Sequence, residues 1–89
     1  TGGVQGSITV GNTPIEAKVD TVKYANRKIL TVYNNSNSTI YWGFTSGVTV
    51  SNGTPLFKKQ FIQFEISDLA TVYLIASSGS NEVRITEAA

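Results

Sequence analysis

The side chains best suited to acid–base chemistry in this chain are six carboxylates: Glu16, Asp20, Glu65, Asp68, Glu82 and Glu87. Two carboxylates held roughly 5–9 Å apart can hydrolyse a glycosidic bond. Here they are scattered, and Glu65 and Asp68 fall on opposite sides of a strand end, so they read as solvated carboxylates on strand faces. The chain has no His and no Cys. It therefore lacks the commonest general base, the commonest metal ligand and any thiolate nucleophile. A Ser nucleophile has no His to activate it, and the Gly-Ser pairs have the composition of turns. No GxxxxGK or strand-linked GxGxxG is present to cradle a phosphate. No EF-hand-type loop is present either, which leaves Asp68 or Asn81 as weak candidates for a loose calcium contact. The chain is expected to be non-catalytic, with no catalytic residue, cofactor or metal site.

Aromatic side chains are the remaining candidates. Tyr33 and Tyr41 fall on the opposite strand face from Trp42, which reads as core. Two tyrosines side by side could stack on a sugar ring or a base. Phe61 and Tyr73 also fall on outward positions, expected on neighbouring strands. The plainer readings are cross-strand packing under a loop, or contact with another copy or partner. Contact is the preferred reading, so Tyr33, Tyr41, Phe61 and Tyr73 are the interface candidates. Arg27, Lys28, Lys58 and Lys59 could form a basic patch, but read as residues that protect strand ends and edges from aggregation.

Composition limits the partners. The 89 residues make one domain, with an apolar fraction of 40% and a charged fraction of 15%. The formal charge of +1 gives no global attraction to nucleic acid or to an acidic membrane surface. No apolar run approaches the roughly 20 residues of a membrane-spanning helix. The lack of an initiator Met suggests a processed chain or an excised fragment.

Period-two alternation of β-branched and aromatic residues, broken by Gly, Asn, Ser and Pro clusters, predicts the elements. Residues 1–6 are expected to form a flexible N-terminal segment, followed by a strand at Ser7–Val10. A second strand is expected at Ile15–Val19, with Ala17 inward and Glu16 and Lys18 outward. Ile29–Asn34 and Thr39–Phe44 read as one hairpin. In that hairpin Leu30 and Val32 share a core face with Ile40 and Trp42, across an odd loop at 35–37 or 35–39. Asn34 lies at its inner edge, where a buried amide must tie down the turn. Further strands are expected at Val48–Val50, Phe61–Ile66, Thr71–Ser77 and Val83–Ile85. Thr71–Ser77 carries apolar residues on both faces and should be central. No window shows a helical stripe beyond one possible turn at Ser67–Ala70. The fold class is all-β: an antiparallel β-sandwich or jelly-roll-like barrel of seven to nine short strands, spanning 1–89 as a single domain.

One resemblance adds to this reading. Asn26-Arg27-Lys28 precedes Leu30-Thr31-Val32, followed by Asn34-Asn35-Ser36 and Ile40-Tyr41-Trp42-Gly43. Later come Ser51-Asn52-Gly53-Thr54-Pro55-Leu56, Val72-Tyr73-Leu74-Ile75-Ala76-Ser77-Ser78-Gly79 and Val83-Arg84-Ile85-Thr86-Glu87. Over residues 26–87 this series resembles small β-sandwich domains of tailed-bacteriophage virion accessory proteins, of the head-decoration or head-fibre type. Such domains often place a Pro-Gly or Gly-Glu turn where this chain has Lys58-Lys59-Gln60 and an outward Phe61. That difference hints at a contact peculiar to this chain.

The resemblance implies a structural virion protein, assembled in the bacterial host cytoplasm and carried on the particle surface. It implies self-association, as a homotrimer, and contact with the major capsid protein or another virion protein. A second possibility is a carbohydrate- or receptor-binding module at a fibre tip, with Tyr33 and Tyr41 as its platform.

Overall fold

The computed structural model describes residues 2–89. Eight strands form two four-stranded sheets, and every strand pairing is antiparallel. The strands are β1 (Gly3–Val10), β2 (Ile15–Glu16), β3 (Ile29–Asn34), β4 (Ile40–Gly43), β5 (Thr54–Leu56), β6 (Phe61–Phe64), β7 (Tyr73–Ile75) and β8 (Asn81–Ala88). The first sheet runs β1-β8-β3-β6 and the second β2-β7-β4-β5. The protein is a small β-sandwich, as the alternation predicts.

The core lies between the sheets. Val10, Leu30, Val32, Phe64, Val83 and Ile85 from the first sheet meet Ile40, Leu56 and Leu74 from the second. Ala17, Val72 and Ala76, just outside the short second-sheet strands, complete it. The inward sets expected on Ile29–Asn34, on the strand beginning at Phe61 and on the last strand all point to the core. β7 lies between β2 and β4, and its outward Ile75 is buried as well. That is the central position its two apolar faces require.

Three expectations about the elements are corrected. First, β3 and β4 do not form a hairpin: β3 lies in the first sheet and β4 in the second. Both edges of β3 are occupied, by β8 and β6, so no backbone groups remain to pair β4. Alternation cannot separate the two arrangements, because apolar faces can meet side by side in one sheet or face to face across two. The connecting loop is 35–39, one of the two odd lengths expected, and Asn34 shapes it. The Asn34 Nδ2 donates to the carbonyls of Ser38 (2.7 Å) and Leu56 (2.9 Å), while its Oδ1 accepts from the Ser36 amide (3.0 Å) and hydroxyl (2.6 Å). The buried amide is fully engaged, and it carries the chain from one sheet to the other.

Second, the first strand begins at Gly3. Residues Gly3–Gly6, expected to be a flexible lead-in, pair with Ala88–Ile85 of β8. Third, Val48–Val50 is a loop leading into a turn and not a strand. Asn52 builds it: its Oδ1 accepts from the Thr49 amide at 2.7 Å. Buried Val48 packs on Gly43 and Gly53, where an added Cβ would come within 2.9 Å of the Val48 Cγ2. Only glycine permits this approach, and it lays the 44–53 loop over the outer face of the second sheet.

Candidate functional site

Alternation along β8 separates a sealed interior from an open exterior. Asn81, Val83, Ile85 and Glu87 are buried, while Glu82, Arg84 and Thr86 are exposed. Glu87 is the unexpected member of the buried set. Its Oε2 accepts from the Arg27 Nη1 at 2.7 Å, and both side chains are fully buried. The carboxylate also accepts the amides of Val19 (3.0 Å) and Tyr24 (3.1 Å). Arg27 spends its other donors on the carbonyls of Ser67 (3.2 Å) and Ala70 (2.8 Å). One ion pair thus ties the 17–28 crossing and the 65–72 turn to the end of β8. Arg27 is no part of a surface basic patch, and Glu87 is no solvated carboxylate. The signal was available, because Glu87 has the same parity as Val83 and Ile85.

Two of the other carboxylates also have partners. Glu16 pairs with Lys18 at 2.9 Å. The hydrogen bond from Lys18 holds the Glu16 carboxyl below the usual carboxylate range. Glu82 accepts from the Asn35 side chain and from Arg84 (3.2 Å), and both bonds lower its pKa, that of Asn35 the more strongly. Among the described residues, no three His, Cys, Asp or Glu side chains converge as a metal site. None of their buried side-chain nitrogens or oxygens lacks a partner.

The four aromatic candidates do not form one site. Tyr33 and Phe61 are directly opposite each other on β3 and β6 of the first sheet. Tyr41 and Tyr73 belong to the second sheet, opposite Ile75 and Gly43 of each other's strand. The expected neighbourhoods of Tyr33 with Tyr41, and of Phe61 with Tyr73, are therefore both corrected. The two pairs lie on outward faces pointing away from each other. Tyr41 lies against the covering loop: a Cβ on Gly53 would come within 2.9 Å of its own Cβ. Tyr41 and Tyr73 are each half-buried.

Tyr33 is half-buried as well, and only Phe61, opposite it, is in a different setting. Phe61 is 66% exposed at the edge of the first sheet. Phe57, before the same turn, is also exposed. The turn between them places Lys59 in the left-handed region at φ 60°, a conformation that strains a side-chain-bearing residue. The Lys59 Nζ donates to the Asn35 carbonyl at 3.1 Å, and Asn35 bonds Glu82 in turn. A linked polar rim of Lys59, Asn35, Glu82 and Arg84 thus lies beside bare aromatic surface.

A second aromatic group missed by the sequence reading lies at an edge of the sandwich. Trp42 meets Phe64 edge to face at 4.9 Å and Phe44 at 5.5 Å. Trp42, expected in the core, is half-buried against it, while Phe44 remains largely exposed.

Fold and surface together define the class: a small antiparallel β-sandwich with one covered outer face and one open one. No protein-family model matches the chain, and no curated protein matches it.

Proposed function

We propose that this domain is a non-catalytic structural module of a tailed-phage virion that binds the capsid or tail surface through the open face of its first sheet. The observation that carries the contact is exposed Phe61 opposite Tyr33, with exposed Phe57 before the same turn and the polar groups of Lys59, Asn35, Glu82 and Arg84 to one side. An exposed aromatic centre inside a hydrogen-bonding rim is the usual anatomy of a protein contact. The virion setting rests on the sequence resemblance over residues 26–87. Capsid or tail protein is the proposed partner, and the particle surface the proposed location.

Antibody labelling of purified phage particles tests the setting. Labelled particle surfaces support it, and particles without the chain overturn it. A fibre-tip glycan-binding role loses its twin-tyrosine platform, since Tyr33 and Tyr41 lie in different sheets. Trp42 and Phe44 are the aromatic surface that could replace it. A glycan array with Phe44→Ala as the control separates the two readings, because only a glycan-binding role requires a signal that Phe44→Ala removes.

A further inference from the structure

The two sheets have four edge strands, and three are protected against pairing. β2 has two residues and carries the Glu16–Lys18 ion pair at its end. β5 contains Pro55. β6 has four residues and lies between Lys58-Lys59 and Glu65. Short length, charge and proline are the usual protections of a sheet edge. β1 has none of them: it is eight residues long, GVQGSITV, without a charge or a proline.

Its hydrogen-bonding groups can be assigned by parity. Gly2 and Ala89 exchange both of their backbone bonds, at 3.2 and 2.9 Å. In an antiparallel ladder every second residue bonds the same neighbour. The even residues of β1 therefore bond β8, and the amides and carbonyls of Gly3, Gln5, Ser7 and Thr9 point away from it. All four residues are exposed, and none of these groups has a partner among the described residues.

We propose that this edge pairs with β1 of a second copy, antiparallel about a two-fold axis at Gly6. The occupant follows from the strand's own pattern. In this register Gly3 faces Thr9, Val4 faces Ile8, Gln5 faces Ser7 and Gly6 faces itself. Apolar meets apolar on the inner side, polar meets polar on the outer side, and no like charges meet at the axis. The outward groups of Gly3, Gln5, Ser7 and Thr9 form about eight interchain backbone bonds, two for each facing pair. The first sheets of the two copies become one continuous sheet, β6-β3-β8-β1 running into its symmetry mate. A single strand pair is smaller than the standard contact of about 800 Å² per partner, so the association is reversible and concentration-dependent. A closed trimer cannot use this edge, because a two-fold contact is satisfied by two copies. The inference is independent of the virion reading and uses a different surface from Phe61.

Sedimentation and amide hydrogen exchange over a concentration series test it. The species should move towards twice the chain mass as concentration rises. Exchange at Gln5, Ser7 and Thr9 should slow in proportion to the paired fraction. Gln5→Lys/Ser7→Lys places like charges directly opposite and should return the chain to monomer. Gln5→Glu/Ser7→Lys places opposite charges in the same positions and should keep the dimer, which also controls for folding. A monomer at all concentrations overturns the proposal. So does a dimer in which these three amides exchange freely, or one in which the two double variants associate equally.

Discussion

β8 carries two carboxylates with opposite settings, and the comparison explains how the molecule divides its work. Glu87 faces inward and is sealed with Arg27; Glu82 faces outward beside Arg84 and Asn35. The chemistry of the two ion pairs is the same. The inner pair bonds four part-buried backbone groups, from the 17–28 crossing and the 65–72 turn. The outer pair holds side chains at the rim of an aromatic patch and is screened by solvent. Position relative to the core, and not the residue types, makes one a strut and the other part of a surface. The two outer faces show the same lesson. The 44–53 loop lies over the second sheet, while Phe61 remains exposed on the first, opposite half-buried Tyr33.

Breaking the inner pair should have the largest effect. Glu87→Ala leaves the Arg27 guanidinium buried and uncompensated, which costs about 3–5 kcal/mol. That is a large share of the roughly 5–15 kcal/mol that stabilises a typical domain. The urea midpoint should fall sharply, and Arg27→Ala should behave similarly. The double variant Arg27→Met/Glu87→Leu should not restore the midpoint, because the amides of Val19 and Tyr24 and the carbonyl of Ala70 lose these side-chain partners.

The covered face comes next. Gly53→Ala would place a Cβ 2.9 Å from the Thr49 carbonyl oxygen, the Tyr41 Cβ and the Val48 Cγ2. Overpacking of this kind costs about 1–3 kcal/mol. Thermal unfolding should show the loss, and equal stability would mean that the loop does not seal this face.

On the open face the expected cost is smaller. Phe61→Ser removes an edge side chain whose cross-strand partner is Tyr33, and should cost under about 1 kcal/mol. Circular dichroism should give a nearly unchanged melting curve.

The smallest effect is electrostatic. The folded-state pKa values of Glu82 and Glu16 are lowered. Their contribution to stability is therefore present above the unfolded carboxylate value and is lost as pH falls through the folded one. Both groups are largely solvated, so the change is slight. Glu82→Gln should lower the melting temperature slightly at neutral pH and converge with the wild type as pH falls below roughly 4.5, which flattens the acid limb of the profile.

Much of the fold was legible in the sequence. Alternation placed Leu30, Val32, Ile40, Leu74, Val83 and Ile85 inside, and it marked β7 as central. The same rule carried two residues further places Glu87 inside, against the usual expectation that a charged residue lies on the surface. What alternation does not encode is which strand pairs with which. The pairing of β3 with β6 and β8 is set by backbone groups far apart in the chain, so the expected hairpin was lost, and with it the paired tyrosines. The covering loop is visible only as Gly43, Val48 and Gly53, whose roles depend on a close approach in three dimensions. The outward position of Phe61 is legible from alternation, but its exposure is not, because Tyr41 and Tyr73 hold outward positions too and are half-buried.

We propose that the open face of the first sheet makes contacts and the covered face of the second does not. Binding of the wild type, Phe61→Ser and Tyr73→Ser to phage particles stripped of accessory proteins tests it most directly, with melting curves taken in parallel. Phe61→Ser should lose binding with its stability intact, and Tyr73→Ser should bind as the wild type does. Loss of binding on substitution of Tyr73 alone, or equal binding by all three proteins, would contradict the account.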